Sequence, residues 1–160
     1  MVVALSAIWL TSWLHVGEIK PLLLLFLSLA VTIGSDLLLA RLRGKPFFFP
    51  SAAIASAIII ALLVSPHSPW YQILLPGVLA MWSKNFLRAG DRHIFNPAAF
   101  GLLLAGIILG QNTSWWGVSW QQLAGYPWAF VILLIPFLVS ALRMRRYFIQ
   151  RAFLFVIVLF

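Results

Sequence analysis

Asp36 is the acidic residue that sits inside a long apolar run, residues 21–40. A carboxylate at membrane depth is costly and by default marks a functional position. Ser28, Thr32 and Ser35 lie at i, i+4 and i+7, so they share one helix face with Asp36 beside it. That face is expected to point into a bundle. A plainer reading pairs Asp36 with Arg41, Arg43 or Lys45, one turn or two further on, where long basic side chains reach the interface cheaply. The second stretch with chemical potential is KNFLRAGDRHIFNPAAFG, residues 84–101. Gly90-Asp91 signals a turn, and Asn96-Pro97 opens a new apolar run. Asn96 suits an N-cap and Pro97 the first turn of a helix. Capping alone explains the pair. A functional reading uses the same geometry: a helix start at membrane depth offers unpaired N–H groups and a positive dipole end. Broken helices of this kind line ligand sites in membrane proteins. The Asn amide also matches a polar ring edge such as that of a flavin.

Other chemistries are harder to place. His93 lies between Arg92 and Ile94 and reads as an interfacial residue rather than a metal ligand. His15 and His67 fall in separate connections, so no metal-ligand spacing is present. No serine has a His and acid nearby, and neither a GxSxG nor a phosphate-binding loop occurs. The chain has no cysteine, which excludes disulfides, thiolate nucleophiles and Cys-ligated metal or Fe–S sites within it. No catalytic residue is assigned.

The elements that must position these residues are dictated by composition. Of 160 residues, 63% are hydrophobic and 9% charged, against about 45–50% and about 25% in an average soluble domain. The mean hydropathy is +1.03. A compact soluble fold of this size cannot hide so much apolar surface. An all-α, polytopic transmembrane bundle with short or broken helices is expected, as one domain over residues 1–160. The net charge of +8 would suggest nucleic acid in a soluble protein. Here the basic residues cluster between apolar segments, so the expected partner is the bilayer and not nucleic acid.

The apolar segments are 1–14, 21–40, 51–64, 69–82, 96–110, 127–142 and 148–160. Only 21–40 has the ~20 residues needed to span unaided, and Pro21 is a favourable opening residue. The first segment lacks the basic start and clean small-residue cleavage site of a signal peptide and reads as a short or truncated first helix. Segments 51–64 and 69–82 flank a breaker, Ser65-Pro66-His67-Ser68-Pro69; they form two short helices, a re-entrant pair, or longer spans with polar ends. The last run is still apolar at Phe160, which leaves open that the chain is a fragment. Arg41, Arg43 and Lys45, then Lys84, Arg88 and Arg92, then Arg143, Arg145, Arg146 and Arg151 all follow even-numbered segments. The positive-inside rule puts these loops in the cytoplasm. Trp9, Trp13, Trp70, Tyr71, Trp115, Trp116, Trp120, Tyr126 and Trp128 lie near the opposite connections and read as an aromatic belt, with Trp82 the exception.

Three stretches resemble one family, RnfD/NqrB: the RnfD component of the Rnf electron-transport complex and the NqrB component of the sodium-translocating NADH:quinone reductase. SDLLLARLRGKP, residues 35–46, is similar to the family's acid-bearing helix end and basic exit. SAAIASAIIIALLVSP, residues 51–66, resembles its Ser-Ala start and Pro-bearing end. Residues 84–101 resemble its Lys-containing loop, glycine turn and Phe-Asn-Pro-Ala. The matches run in order over about residues 35–110. Phe49-Pro50 stands where the family places Asp-Gly, and Leu87-Arg88 where it commonly carries Gly-Gly. Many members attach FMN to the Thr of a Ser/Thr-Gly-Ala-Thr motif. Thr113, in QNTSWWG, does not match that context.

The resemblance implies an inner-membrane component of an electron-transport complex, beside other redox subunits. It implies one half of an inverted-repeat fold, since members carry about ten helices in two such repeats. It further implies a flavin, FMN or riboflavin, here held non-covalently, with Asn96, Pro97, Ser51, Lys84 and Asp36 as the candidate binding residues, and support of redox-driven ion transport. The alternatives are a transporter or channel half for a small solute, and a structural membrane component whose polar residues serve packing.

Overall fold

The computed structural model describes residues 2–46, 48–90, 92–110, 112–114 and 116–118. Among the described residues five helices run in sequence: α1 (Val2–Val16), α2 (Ile19–Leu42), α3 (Ser51–Leu63), α4 (Tyr71–Phe86) and α5 (Pro97–Leu109). A 3-10 turn follows at Trp116–Val118. The all-α expectation needs one amendment. Arg88–Ala89 (β1) and Arg92–His93 (β2) pair antiparallel, Arg88 opposite His93, and the connection starts at Gly90 with φ +61°. Segments 127–142 and 148–160, with their arginines, lie outside the described residues, as do Asp91, Trp115, Trp120, Tyr126 and Trp128.

Local chemistry sets the helix limits. α2 begins at Ile19, two residues before the expected Pro21, which falls in its first turn. It ends in a Schellman motif: the Gly44 N–H donates to Arg41 O at 2.9 Å and the Lys45 N–H to Ala40 O at 3.0 Å. Gly44 takes φ +67° there, which favours glycine, and Pro46 prevents the helix from resuming. α5 is capped as expected, with Asn96 Oδ1 accepting from the Ala98 N–H at 3.1 Å and Pro97 as first residue. The breaker at 65–69 separates α3 from α4 as two helices. α4 continues past the expected limit of 82 to Phe86.

α4 lies between α2 and α5, and α3 covers α2 and α1. The close approach of α4 and α5 requires a residue without a side chain. A Cβ on Gly101 would sit 2.9 Å from both the Cβ and the backbone N of Ala80. Leu24, Ile60, Ile73, Met81 and Leu102 fill the larger core. A second cluster joins Trp9, Ile58, Leu62 and Trp116. Trp9 and Trp116 are therefore packed inside rather than forming part of a lipid-facing belt; Trp70 and Tyr71 are exposed.

The helices alternate in direction. Lys20 Nζ donates to His67 O at 2.8 Å and the Ser114 N–H to Leu63 O at 2.8 Å, which defines one end. The Arg43 guanidinium donates to Asn85 O at the other. Arg41, Arg43, Lys45, Lys84 and Arg88 all gather at this second, basic end. Among the described residues one helix, α2, is long and apolar enough to cross a membrane; α3 and α5 are apolar but shorter.

Candidate functional site

The buried face of α2 repeats every fourth residue: Ser28, Thr32, Asp36 and Ala40. Asp36 therefore lies on the polar stripe itself, and Ser35, expected on it, is only half-buried. Each polar group on the stripe has a partner. Ser28 Oγ donates to Ala57 O at 2.9 Å, tying α2 to α3, and Thr32 Oγ1 donates to Ser28 O at 2.8 Å.

The Asp36 carboxylate has 0% exposure. It accepts from Lys84 Nζ at 2.6 Å and from Asn85 Nδ2 at 3.1 Å. This corrects the local pairing with Arg41, Arg43 or Lys45. The partner comes from α4, 48 residues away. Lys84, expected in a loop, occupies the last turn of α4 instead, where a cation also suits the helix dipole. Asn85, which the sequence pattern does not single out, gives its amide to Asp36 and to Met81 O at 3.0 Å, and is nearly fully buried. A buried charge needs its hydrogen bonds satisfied, so Asn85 completes the site. A lone acid on one helix and a Lys-Asn pair at a helix end are the signal that could have linked them.

Around Lys84 opens a cavity of about 420 Å³, lined by Lys45, Phe48, Phe49, Ser51, Lys84, Asn85 and Arg88, among others. Lys84 Nζ lies 5.3 Å from the centre of the Phe48 ring. Ser51 is the first residue of α3, which has no side-chain cap because Pro50 precedes it. The cavity thus joins aromatic walls to ammonium, guanidinium, hydroxyl and amide donors. That donor set fits a flat ring system bearing carbonyl or anionic groups. Ser51 and Lys84 line the cavity, and Asp36 is joined to it through Lys84. Asn96 and Pro97 share the basic end but do not line it. Asn96 is exposed, and its carbonyl oxygen is committed to the cap.

At the opposite end, His67 Nδ1 lies 3.7 Å from Glu18 Oε2. Among the described residues no group of three or more His, Cys, Asp or Glu gathers to hold a metal. Thr113 is exposed, whereas Thr11 and Thr32 are buried.

A family model described as NQR2, RnfD, RnfE matches residues 1–129. The chain belongs to this family. Two relatives, from Aeromonas hydrophila and Aeromonas salmonicida, are named as the D component of an ion-translocating oxidoreductase complex. Each is 32% identical over 117 residues, covering 69% of this chain and 31% of the relative. The like-named protein from Actinobacillus pleuropneumoniae is 29% identical over 96 residues, 56% of this chain and 27% of the relative. The matched stretch thus spans about a third of these curated relatives. No solved structure matches. Within the NQR2, RnfD, RnfE family match fall Asp36, Lys84, Asn85 and the whole basic cavity.

Proposed function

We propose that this chain is a membrane-embedded, polytopic part of an RnfD-type protein that holds a flavin, FMN or riboflavin, without a covalent bond and supports redox-driven ion transport beside other redox subunits. The observation that carries the reading is the family match over residues 1–129, with relatives named as the D component of an ion-translocating oxidoreductase complex. The surface supports the membrane placement. Leu23, Phe26 and Leu38 on α2 and Leu103, Ile107 and Ile108 on α5 are all exposed. Apolar faces of that extent are stable against lipid and not against water. The gathering of basic residues at one end supports a cytoplasmic position for that end, in the inner (plasma) membrane.

For the flavin, Ser51 and Lys84 would donate to ring carbonyls or phosphate, and Phe48 would offer a ring face. The bound flavin would supply the electron chemistry. The chain would bind it, orient it and keep water from it. Asp36 and Asn85 would hold the Lys84 ammonium in place. Asn96 caps α5 at the same basic end but outside the cavity lining, so it would act on the flavin through the placement of α5. The test is flavin content after purification in detergent, read by visible absorbance, for the wild type, Lys84→Gln, Ser51→Ala and Asn96→Asp. Flavin in the wild type with reduced content in Lys84→Gln supports the site. Equal content in wild type and Lys84→Gln would remove Lys84, and no flavin in the wild type would end the reading.

A further inference from the structure

A second cavity, about 410 Å³, lies at the end of α2 and is lined by Leu37, Ala40, Arg41, Lys45, Pro46 and Phe48. We propose that it receives the phosphate group of an anionic phospholipid. Three observations converge. Two cationic side chains, Arg41 and Lys45, meet walls that are otherwise apolar. Leu38 and Leu42, on the same end of α2, are exposed and offer a path for acyl chains. The depth also agrees. α2 has 24 residues, about 36 Å at 1.5 Å per residue. A hydrocarbon core is about 30 Å thick. With the start of α2 at one interface, its last turn stands at headgroup level at the other. A soluble phosphate would gain nothing from the apolar walls, whereas a lipid uses both halves of the cavity. Basic pockets of this kind hold anionic headgroups through charge and hydrogen bonds, and Arg fits phosphate in a fork geometry.

The Schellman turn makes the cavity possible. It reverses the chain at Gly44 and brings Lys45 back beside Ala40, so that Arg41 and Lys45 flank one opening. The inference rests on the membrane placement of α2; the cavity shares Lys45 and Phe48 with the first one, while Arg41 lines only this one.

The experiment is native mass spectrometry of the detergent-purified chain titrated with phosphatidylglycerol, with phosphatidylcholine of the same acyl chains, and with inorganic phosphate. Phosphatidylglycerol should bind more tightly than phosphatidylcholine. Arg41→Gln and Lys45→Gln should each weaken it about fivefold, while Lys20→Gln, at the opposite end, leaves it unchanged. Equal binding of the two lipids, or full retention of phosphatidylglycerol by the double variant, would overturn the proposal. A phosphate adduct without lipid selectivity would overturn it as well. Should the double variant not fold, the wild type decides: its lipid preference should shrink as salt rises, and a preference indifferent to salt would refute the charge-based site. Fractionation of the expressing cells separately tests the membrane placement, so the two failures are distinguishable.

Discussion

Asp36 and Lys84 form a pair in which each residue depends on the other. Removing one partner of a buried pair leaves a charge without compensation and costs about 3–5 kcal/mol. Lys84 keeps 13% exposure, so Lys84→Met should fall near the lower end, about 3 kcal/mol. Asp36→Asn with Lys84→Met should recover much of that loss. A double-mutant cycle on thermal unfolding in detergent measures the coupling; additive losses would show that the two side chains act independently. Asn96→Ala should cost about 1 kcal/mol through the lost cap, read in the same assay. The acid itself was legible, because an isolated carboxylate in an apolar run stands out. Its partner was not. Sequence shows which residues are near along a helix, and Arg41 lies five positions on, but it does not show which second helix is adjacent. Asn85 escapes notice for the same reason, since its role exists only once α2 and α4 are in contact.

At the scale of elements, the packing of α4 against α5 depends on Gly101 and that of α4 against α2 on Gly77. A Cβ on Gly77 would meet Val31 Cγ1 at 3.1 Å, and on Gly101 it would meet the backbone of Ala80 at 2.9 Å. Gly101→Val should therefore unfold or splay the pair, with loss of protein from the detergent-soluble, monodisperse fraction. Gly34 offers the contrast: it is helical, and a Cβ there meets nothing within 4 Å. Gly34→Ala should be neutral or stabilise by up to about 1 kcal/mol. Comparable thermal stability of Gly101→Val and Gly34→Ala would refute the close-packing argument. Helix limits were largely readable from Pro, Gly and Asn. The exception was the end of α4. Ser83, Lys84 and Asn85 end the apolar run at 82, yet the helix continues because these polar side chains find partners inside.

For the whole molecule, the alternation of basic and aromatic connections anticipated which residues share an end. It did not anticipate that Trp9 and Trp116 would be buried, because hydropathy counts an aromatic the same whether it meets lipid or another helix. The orientation in the membrane has its own test. The chain has no cysteine, so single cysteines at Arg43, Arg88 and Thr113 can be labelled cleanly with an impermeant maleimide. Label should reach Thr113→Cys in intact cells, and Arg43→Cys and Arg88→Cys only after permeabilisation. Labelling of the last two from outside would invert the topology. The central claim, a flavin held without a covalent bond, is decided most directly by denaturing the purified protein and separating polypeptide from supernatant. Flavin should appear in the supernatant, with no fluorescent protein band under ultraviolet light. A band that stays with the polypeptide and disappears in Thr113→Ala, or no flavin in either fraction, would contradict it.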